Sequence, residues 1–148
     1  MMLATRRLSL TPATKVLLDG SERPSDWPEA DALPVLRALC EDGDGAPWVP
    51  WVLRDARGRI VGDAGFKGPP DEEGAVEMGW FIRPPERRRG LAAEAVSALA
   101  AWALSGGARL VRAEVHRDNA ASLGVARRAG FSIAAIADDG LHLWLERR

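Results

Sequence analysis

A long alanine-rich segment closed by two glycines is the feature that most constrains the fold of this chain. The apolar side chains of this segment that fall near one face of a helix are Leu91, Ala95, Leu99 and Trp102. Gly106 and Gly107 then supply the backbone freedom that ends a helix. The segment therefore predicts a helix over residues 91–104 that packs through one apolar face.

Segments of alternating or branched apolar residues surround this helix and predict strands. They cover residues 6–10, 48–53, 59–66, 75–82, 109–116, 132–137 and 141–146. The other helical patterns are a turn at 13–18, a helix from Ser25-Asp26-Trp27-Pro28 to about Asp42 closed by Gly43-Asp44-Gly45, and a helix from Asp118 or Asn119 to about Ala129. Pro50 predicts an edge position or a bulge for its strand. This order predicts one mixed α/β (α+β) domain over residues 1–148, without a linker.

The composition excludes several classes of protein. Of the 148 residues, 47% are hydrophobic and 28% are charged, which is ordinary for a globular domain. No apolar run approaches the roughly 20 residues of a membrane span, and the N-terminal residues MMLATRRLSLTP lack the apolar region of a signal peptide. The net charge of −1 gives no general attraction to nucleic acid or to an anionic membrane. We expect a cytoplasmic protein, and the many alanines and arginines favour a bacterial source.

The few cysteines and histidines exclude other chemistry. Cys40 is the single cysteine, so the chain forms no internal disulfide. His116 and His142 are the only histidines, and no Cys or His group has the spacing of metal ligands. The sequence therefore predicts no metal site.

The residues between the fourth predicted strand and the long helix can bind an anion. The segment Arg87-Arg88-Arg89-Gly90-Leu91-Ala92 places arginines beside the first turn of the helix, where backbone N–H groups lack partners. Gly90 has no side chain to block an approaching phosphate. The segment is neither a Walker A loop nor a Gly-x-Gly-x-x-Gly turn. A solvated basic helix start, or less readily a nucleic-acid patch, is the alternative interpretation.

The same segment resembles a known family. Arg87-x-x-Gly90-x-Ala92 is similar to the Arg/Gln-x-x-Gly-x-Gly/Ala signature of GNAT-type N-acetyltransferases. The blocks that resemble the RimJ/RimL-like branch of this family are Glu77 to Pro84, Leu91 to Ala95, Asn119 to Ser122 and Arg127 to Phe131. The resemblance is strong from about Trp48 to the end and weak over the first forty residues.

The resemblance implies a fold and a cofactor. The fold is a central, mostly antiparallel sheet with two splayed parallel strands, here residues 75–82 and 109–116, flanked by helices. The cofactor is acetyl-CoA, with its pyrophosphate on the loop from Arg87 to Ala93 and its arm between the two strands. The cofactor-binding residues implied in this way are Gly79, Trp80, Phe81, Ile82, Arg87, Arg88, Arg89, Gly90, Leu91, Ala92, Ala93, Asn119 and Ser122. Gly79 is expected to mark a bulge that opens the splay.

Acetyl transfer to an amine requires a group that takes the proton of the amine, since amines are mostly protonated at neutral pH. Glu77 is the expected base and acts through water; a solvated strand carboxylate is the alternative for Glu77. Glu114 and His116 on the neighbouring strand are the next candidates. The relatives use a tyrosine as the acid for the leaving thiolate, but this chain has no tyrosine and carries Ala126 at that position.

Two residues of the last predicted helix have expected roles in the same reaction. Ser122 matches a serine that lies near the sulfur in the relatives and is the expected hydrogen-bond donor to the thiolate; a surface serine is the alternative. Asn119 matches a residue that contacts the arm of CoA, and an N-cap is the alternative.

The expected function is transfer of an acetyl group from acetyl-CoA to a primary amine, either a protein N-terminus or a small molecule, by direct attack and without an acyl-enzyme. The candidate acceptor-binding residues are Trp27, Trp48, Trp51 and Phe66, each of which can equally be a core residue. Lys67 and Asp63 lie near them without a specific signal. The alternatives are a non-catalytic acyl-CoA-binding or regulatory module of the same fold, and an unrelated nucleotide- or nucleic-acid-binding domain. A homodimer is left open.

Overall fold

The computed structural model describes residues 1–40 and 46–148 as a sheet flanked by helices. The strands are β1 (Leu3–Ala4), β2 (Ser9–Pro12), β3 (Pro50–Arg54), β4 (Ile60–Phe66), β5 (Ala75–Ile82), β6 (Leu110–His116), β7 (Ser132–Ile136) and β8 (His142–Arg147). The helices are α1 (Lys15–Asp19), α2 (Leu33–Cys40), α3 (Leu91–Ser105) and α4 (Ala120–Arg128), and residues Pro84–Glu86 form a 3-10 turn. The predicted glycine stop of α2 at 43–45 lies outside the described residues.

The sheet order confirms the expected architecture. The strands lie in the order β1-β2-β3-β4-β5-β6-β8-β7, and every neighbouring pair is antiparallel except β5 and β6. The parallel pairing runs only from Ala75↔Leu110 to Glu77↔Arg112, although β5 continues to Ile82 and β6 to His116. The two strands therefore separate toward their carboxyl ends and leave a gap, where α3 and α4 begin.

Helices cover the two faces of the sheet with separate apolar clusters. On one face, Ala95 and Leu99 of α3 belong to the same buried cluster as Val76 and Met78 of β5. The other face carries a smaller cluster that consists of Ala13, Leu18, Trp27, Val52 and Ile60, against which Leu33, Leu36, Cys40 and Phe81 pack. Helix α3 thus lies on one side of the sheet, and helices α1 and α2 lie on the other. Within the part of the chain that the structure describes, no helix combines the length and hydrophobicity needed to cross a membrane.

Three element predictions near the N-terminus are wrong. The strand predicted at 6–10 is two short strands, because residues between them turn and Thr5 N donates to Leu8 O at 2.8 Å. The second predicted helix begins at Leu33 and not at Ser25, because Trp27 is fully buried and holds its segment against the sheet. The edge position predicted from Pro50 is wrong, because β3 pairs with β2 and β4 and Pro50 is its first residue; β3 does have a register shift, which lies between Leu53 and Arg54 at the other end of the strand.

Candidate active site

The loop between β5 and α3 presents an open helix start. Gly90 is the N-cap of α3, has φ +77°, and no side chain caps the helix there. The first-turn N–H groups are therefore available to an anion. A Cβ built on Gly90 would lie 3.4 Å from Nη2 of Arg7, and the positive φ makes any other side chain strained at this position.

The three arginines of the loop have different roles. Nε of Arg87 donates to the carbonyl of Ile82 at 2.8 Å, and its guanidinium lies 5.1 Å from the centre of the Phe81 ring. Arg89 pairs with Glu86 at 2.5 Å. Arg88 has φ +63°, is exposed, and has no side-chain partner among the described residues. Arg87 and Arg89 therefore shape the loop, and Arg88 carries a positive charge at its surface.

The N-terminal segment holds this loop, which the sequence did not predict. Nη1 of Arg7 donates to the carbonyl of Arg89 at 2.6 Å, and Nε of Arg7 pairs with Oε1 of Glu94 at 2.8 Å. Oε2 of Glu94 accepts from Thr5 Oγ1 at 2.5 Å and from the backbone N–H of Arg7 at 2.9 Å. Burial opposes the charge of Glu94, but these hydrogen bonds from Thr5 and Arg7 lower its pKa. The result is a clamp, formed by Thr5, Arg7 and Glu94, across the start of α3.

Backbone groups of β5 face the gap. Lys67 N donates to Glu77 O at 3.0 Å, whereas Phe66 N donates to Val49 O on the other side of β4. Because hydrogen-bonded and non-hydrogen-bonded pairs alternate in an antiparallel ladder, alternate residues of β5 face β4. The backbone groups of Gly79 and Phe81 accordingly face β4, and those of Trp80 face the gap.

One prediction about β5 is wrong, and two further residues of this strand have backbone groups that point away from β4. The bulge expected at Gly79 is wrong, since β4 and β5 keep one register from Gly62↔Ile82 to Phe66↔Met78. The splay arises because pairing with β6 ends, and not from an extra residue in β5. Ile82 also directs its carbonyl away from β4, where Arg87 binds it. The backbone groups of Met78 have the same orientation as those of Trp80, since the two residues are two positions apart in β5.

A pocket of about 270 Å³ lies between α2 and the β4–β5 pair. Its lining residues, which define the α2 pocket, are Glu29, Ala32, Val35, Leu36, Leu39, Pro50, Asp63, Gly65, Phe66, Lys67, Gly79, Trp80 and Phe81. The pair Gly65↔Gly79 lies at the middle of its floor, with Lys67 two residues away on one side and Asp63 two residues away on the other. The pocket therefore lies against one face of β5, the strand whose unpaired edge faces the gap.

The candidate bases lie on this same face of the sheet. Oε2 of Glu77 is 2.7 Å from Nζ of Lys67, and Glu77 is the last residue of β5 that pairs with β6. Glu114 and His116 occupy β6 beyond the point of separation, and Glu114 is exposed. Nδ1 of His116 accepts a hydrogen bond from the backbone N–H of Asp118 at 3.1 Å. Glu77 thus lies at the point where the two strands separate, and Glu114 and His116 lie beyond it.

Asp63, which the sequence places near the acceptor candidates without a specific signal, lines the α2 pocket. It is 8% exposed, and it is the one buried charged side chain among the residues described. Nε1 of Trp27 donates to its Oδ2 at 2.7 Å. Burial raises the pKa of Asp63 to about 6, against the opposing effect of the hydrogen bond from Trp27. The available signal was an aspartate inside the otherwise apolar strand of residues 60–66, where an unpaired charge is costly.

The predicted aromatic acceptor residues lie in different places. Trp48, Trp51 and Phe66 surround Trp102 of α3, with ring centroids 5.2–5.9 Å from it. Trp51 and Phe66 are fully buried in the cluster under α3, although Phe66 also borders the α2 pocket. Trp27 is fully buried on the other face and reaches the pocket through Asp63.

The start of α4 lies beside the carboxyl end of β6. Oδ1 of Asn119 accepts from the backbone N–H of Ser122 at 3.1 Å, so Asn119 is the N-cap of α4. Ser122 is half-buried in the first turn. Ala126 is fully buried, so a larger side chain at this position would force the surrounding core to shift. No group of three His, Cys, Asp or Glu side chains suited to a metal ion occurs in residues 1–40 and 46–148.

A gap between two parallel strands lies next to an uncapped and positively charged helix start, a geometry suited to a cofactor that carries phosphate groups. The sequence model of the Acetyltransferase (GNAT) domain matches residues 14–132, and the chain belongs to this family. Its cofactor is acetyl-CoA. The open first turn of α3 and the side-chain-free position of Gly90 fit the phosphates of that cofactor.

Three comparisons extend this assignment. The chain is 30% identical to the N-acetyltransferase YjdG of Bacillus subtilis (strain 168), over 88% of this chain and 89% of that protein. A GnaT-family acetyltransferase from Bordetella pertussis superposes with a TM-score of 0.74 at 30% identity, covering 100% of this chain and 99% of the other. RimJ of Mycobacterium smegmatis, solved with CoA-disulfide, shares the fold with a TM-score of 0.73 at 15% identity, over 99% and 86% of the two chains. The resemblance to the GNAT family is confirmed, and RimJ shares the fold of this chain.

Proposed function

We propose that this protein transfers the acetyl group of acetyl-CoA to the nitrogen of a primary amine by direct attack. The observation that carries the proposal is the gap beyond Glu77↔Arg112, which borders a pocket on the α2 face of the same strand. A donor held in the gap and an acceptor held in the pocket would meet at β5. We expect the reaction to take place in the bacterial cytoplasm. A homodimer is compatible with this function.

The residues that would hold the cofactor follow from the site. The first-turn N–H groups of Leu91, Ala92 and Ala93, with the charge of Arg88, would bind its phosphates. The backbone groups of Trp80 would bind its arm in the manner of an added strand. The cofactor supplies an activated acetyl thioester. The N–H of Trp80 is the donor placed to polarise the thioester carbonyl.

Glu77 is the proposed base, as the sequence predicts. The nitrogen must lose a proton before it can attack, and the carboxylate of Glu77 lies on the pocket face next to the opening of the gap. Lys67 fixes the orientation of Glu77 through the 2.7 Å ion pair. Ser122 at the start of α4 would donate a hydrogen bond to the thiolate as the C–S bond breaks.

Direct attack is favoured over an acyl-enzyme because the cysteine is poorly suited as a nucleophile. Burial raises the pKa of the Cys40 thiol, which lowers its thiolate fraction at neutral pH. Cys40 packs on the apolar cluster under α2. The acetyl group would therefore pass to the acceptor in one step.

A second candidate function is a non-catalytic acyl-CoA-binding module. The buried Ala126, in place of the tyrosine acid, favours this candidate. CoA thiol is a fairly good leaving group, so the loss of the acid does not by itself prevent turnover.

Initial rates measured with acetyl-CoA and small amines or N-terminal peptides separate these candidates. We expect thiol release in equal amount to N-acetylated acceptor, and a sequential rate pattern. Parallel double-reciprocal lines, with an acetylated protein detected by intact mass, would contradict direct attack. Binding of CoA without thiol release above that in buffer, for every acceptor, would support the non-catalytic module.

A further inference from the structure

We infer that Asp63, oriented by Trp27, anchors the far end of the acceptor, and that the acceptor is a short amine with a second cationic group. This inference rests on the proposed function and specifies the substrate class of the same site. Asp63 lines the α2 pocket on one side of the pair Gly65↔Gly79, and its distance from Gly79 sets the length of the acceptor.

The charges of the α2 pocket favour a cation. Its charged lining residues are Asp63, Glu29 and Lys67, and Lys67 is already paired with Glu77 at 2.7 Å. Arg112 lies on the same face, but its guanidinium stacks over the ring of Trp144 at 5.1 Å, and Arg112 does not line the pocket. A carboxylate on the acceptor would therefore meet negative charge without a free cation to bind it.

Asp63 is buried at a position where a charge needs a partner. A single hydrogen bond from the neutral indole of Trp27 compensates only part of the cost of burying an ionised carboxyl. With its pKa near 6, Asp63 is largely ionised at neutral pH. An ammonium group that enters the pocket would pair with the Asp63 carboxylate. An apolar side chain in place of Asp63 would bury no charge and would need no such partner.

The spacing along the strand gives the length of the acceptor. The reacting nitrogen belongs near Gly79, which neighbours both Glu77 and the backbone of Trp80. Gly79 pairs with Gly65, and Asp63 lies two residues from Gly65 along β4, which corresponds to about 7 Å. A linear chain of four or five methylene groups spans this distance. Val35, Leu36 and Leu39 of α2 would cover the methylene groups.

A matched series of amines tests the inference on the wild-type protein. The probes are 1,5-diaminopentane, 5-aminopentan-1-ol, pentylamine and 5-aminopentanoate, which differ only in the distal group. We expect kcat/KM to be highest for the diamine and lowest for the carboxylate, with the alcohol and pentylamine between them. A charge-assisted hydrogen bond predicts about 10- to 100-fold between diamine and pentylamine.

The substitution Asp63→Asn assigns this preference to one residue. The amide oxygen can still accept from Trp27, so the pocket keeps its shape while it loses its charge. We expect kcat/KM for the diamine to fall about 10- to 100-fold through KM, and that for pentylamine to change less than about threefold. The exposed turn variant Asp138→Asn is the matched control and should leave both values unchanged.

The outcomes separate the two levels of the proposal. Pentylamine or 5-aminopentanoate used as well as the diamine by the wild type overturns the inference and leaves the acetyltransferase standing. An unchanged diamine preference in Asp63→Asn also overturns it. Binding of CoA without acetylation of any amine overturns the proposed function, and the inference with it.

Discussion

Gly90 is the residue on which the cofactor loop depends most. Its φ of +77° is a conformation that a branched side chain rarely adopts, and a Cβ there would meet Arg7 at 3.4 Å. We predict that Gly90→Val abolishes measurable binding of CoA in isothermal titration. Gly58→Val is the matched control, because Gly58 has φ +79° with nothing within 4 Å of its added Cβ, and it should bind CoA normally. Equal affinity in the two variants would show that the loop is assigned wrongly.

Glu77 can be tested through the pH dependence of turnover. A base is needed most where the acceptor amine is protonated, so Glu77→Gln should lower kcat/KM by about a hundredfold at pH 7 and by less as pH rises toward the pKa of the amine. Affinity for CoA should change less than twofold. Glu73→Gln, in the exposed turn before β5, is the control. A parallel pH profile in wild type and Glu77→Gln would move the role to Glu114, His116 or solvent.

Asp63 makes a stability prediction with a definite sign. Its pKa is raised from 3.8 to about 6 in the folded protein, so between these values the folded state holds a proton that the unfolded state has released. The free energy of unfolding therefore falls as pH rises through this window. Asp63→Asn should be more stable than wild type by about 2–3 kcal/mol at pH 7.5, and nearly equal at pH 3.5. Urea unfolding at the two pH values measures the difference; a less stable variant at pH 7.5 would contradict the burial cost.

At the scale of elements, the N-terminal segment acts on the cofactor loop through the clamp. Arg7 binds the carbonyl of Arg89 and the carboxylate of Glu94, so it fixes the residue before Gly90. We predict that Arg7→Ala weakens CoA binding about fivefold to tenfold, as expected for one exposed charge-assisted contact. Arg6→Ala, at the adjacent exposed position, should leave binding unchanged. The same affinity in both variants would mean that the loop holds its conformation without the clamp.

The elements that the sequence predicted well are those with strong local signals. β5 and α3 have the predicted starts, because branched residues and Gly90 define them within the chain itself. The wrong start of α2 has a non-local cause, since Trp27 is held by Asp63, 36 residues away. The gap could be expected only from the resemblance, because it depends on where β6 leaves β5. The clamp and the contact between Trp27 and Asp63 could not be predicted for the same reason: their partners are distant in sequence.

At the scale of the whole molecule, one strand connects two different environments. β5 faces the α3 cluster with Val76 and Met78, and it faces the α2 pocket with Gly79 and Phe81. Its backbone edge beyond Glu77 has lost its neighbour β6. We therefore propose that the edge of β5 binds the donor, acetyl-CoA, and that one face of β5 binds the acceptor amine.

Amide hydrogen exchange of Trp80 tests this central claim most directly. Its N–H faces the gap, whereas the backbone groups of Gly79 and Phe81 face β4. We predict that the Trp80 amide exchanges much faster than those two neighbours in the free protein, and that saturating CoA slows it at least about tenfold while Gly79 and Phe81 change little. Unchanged exchange at Trp80 with CoA bound, or protection confined to the α2 pocket, would contradict the assignment of the gap as the cofactor site.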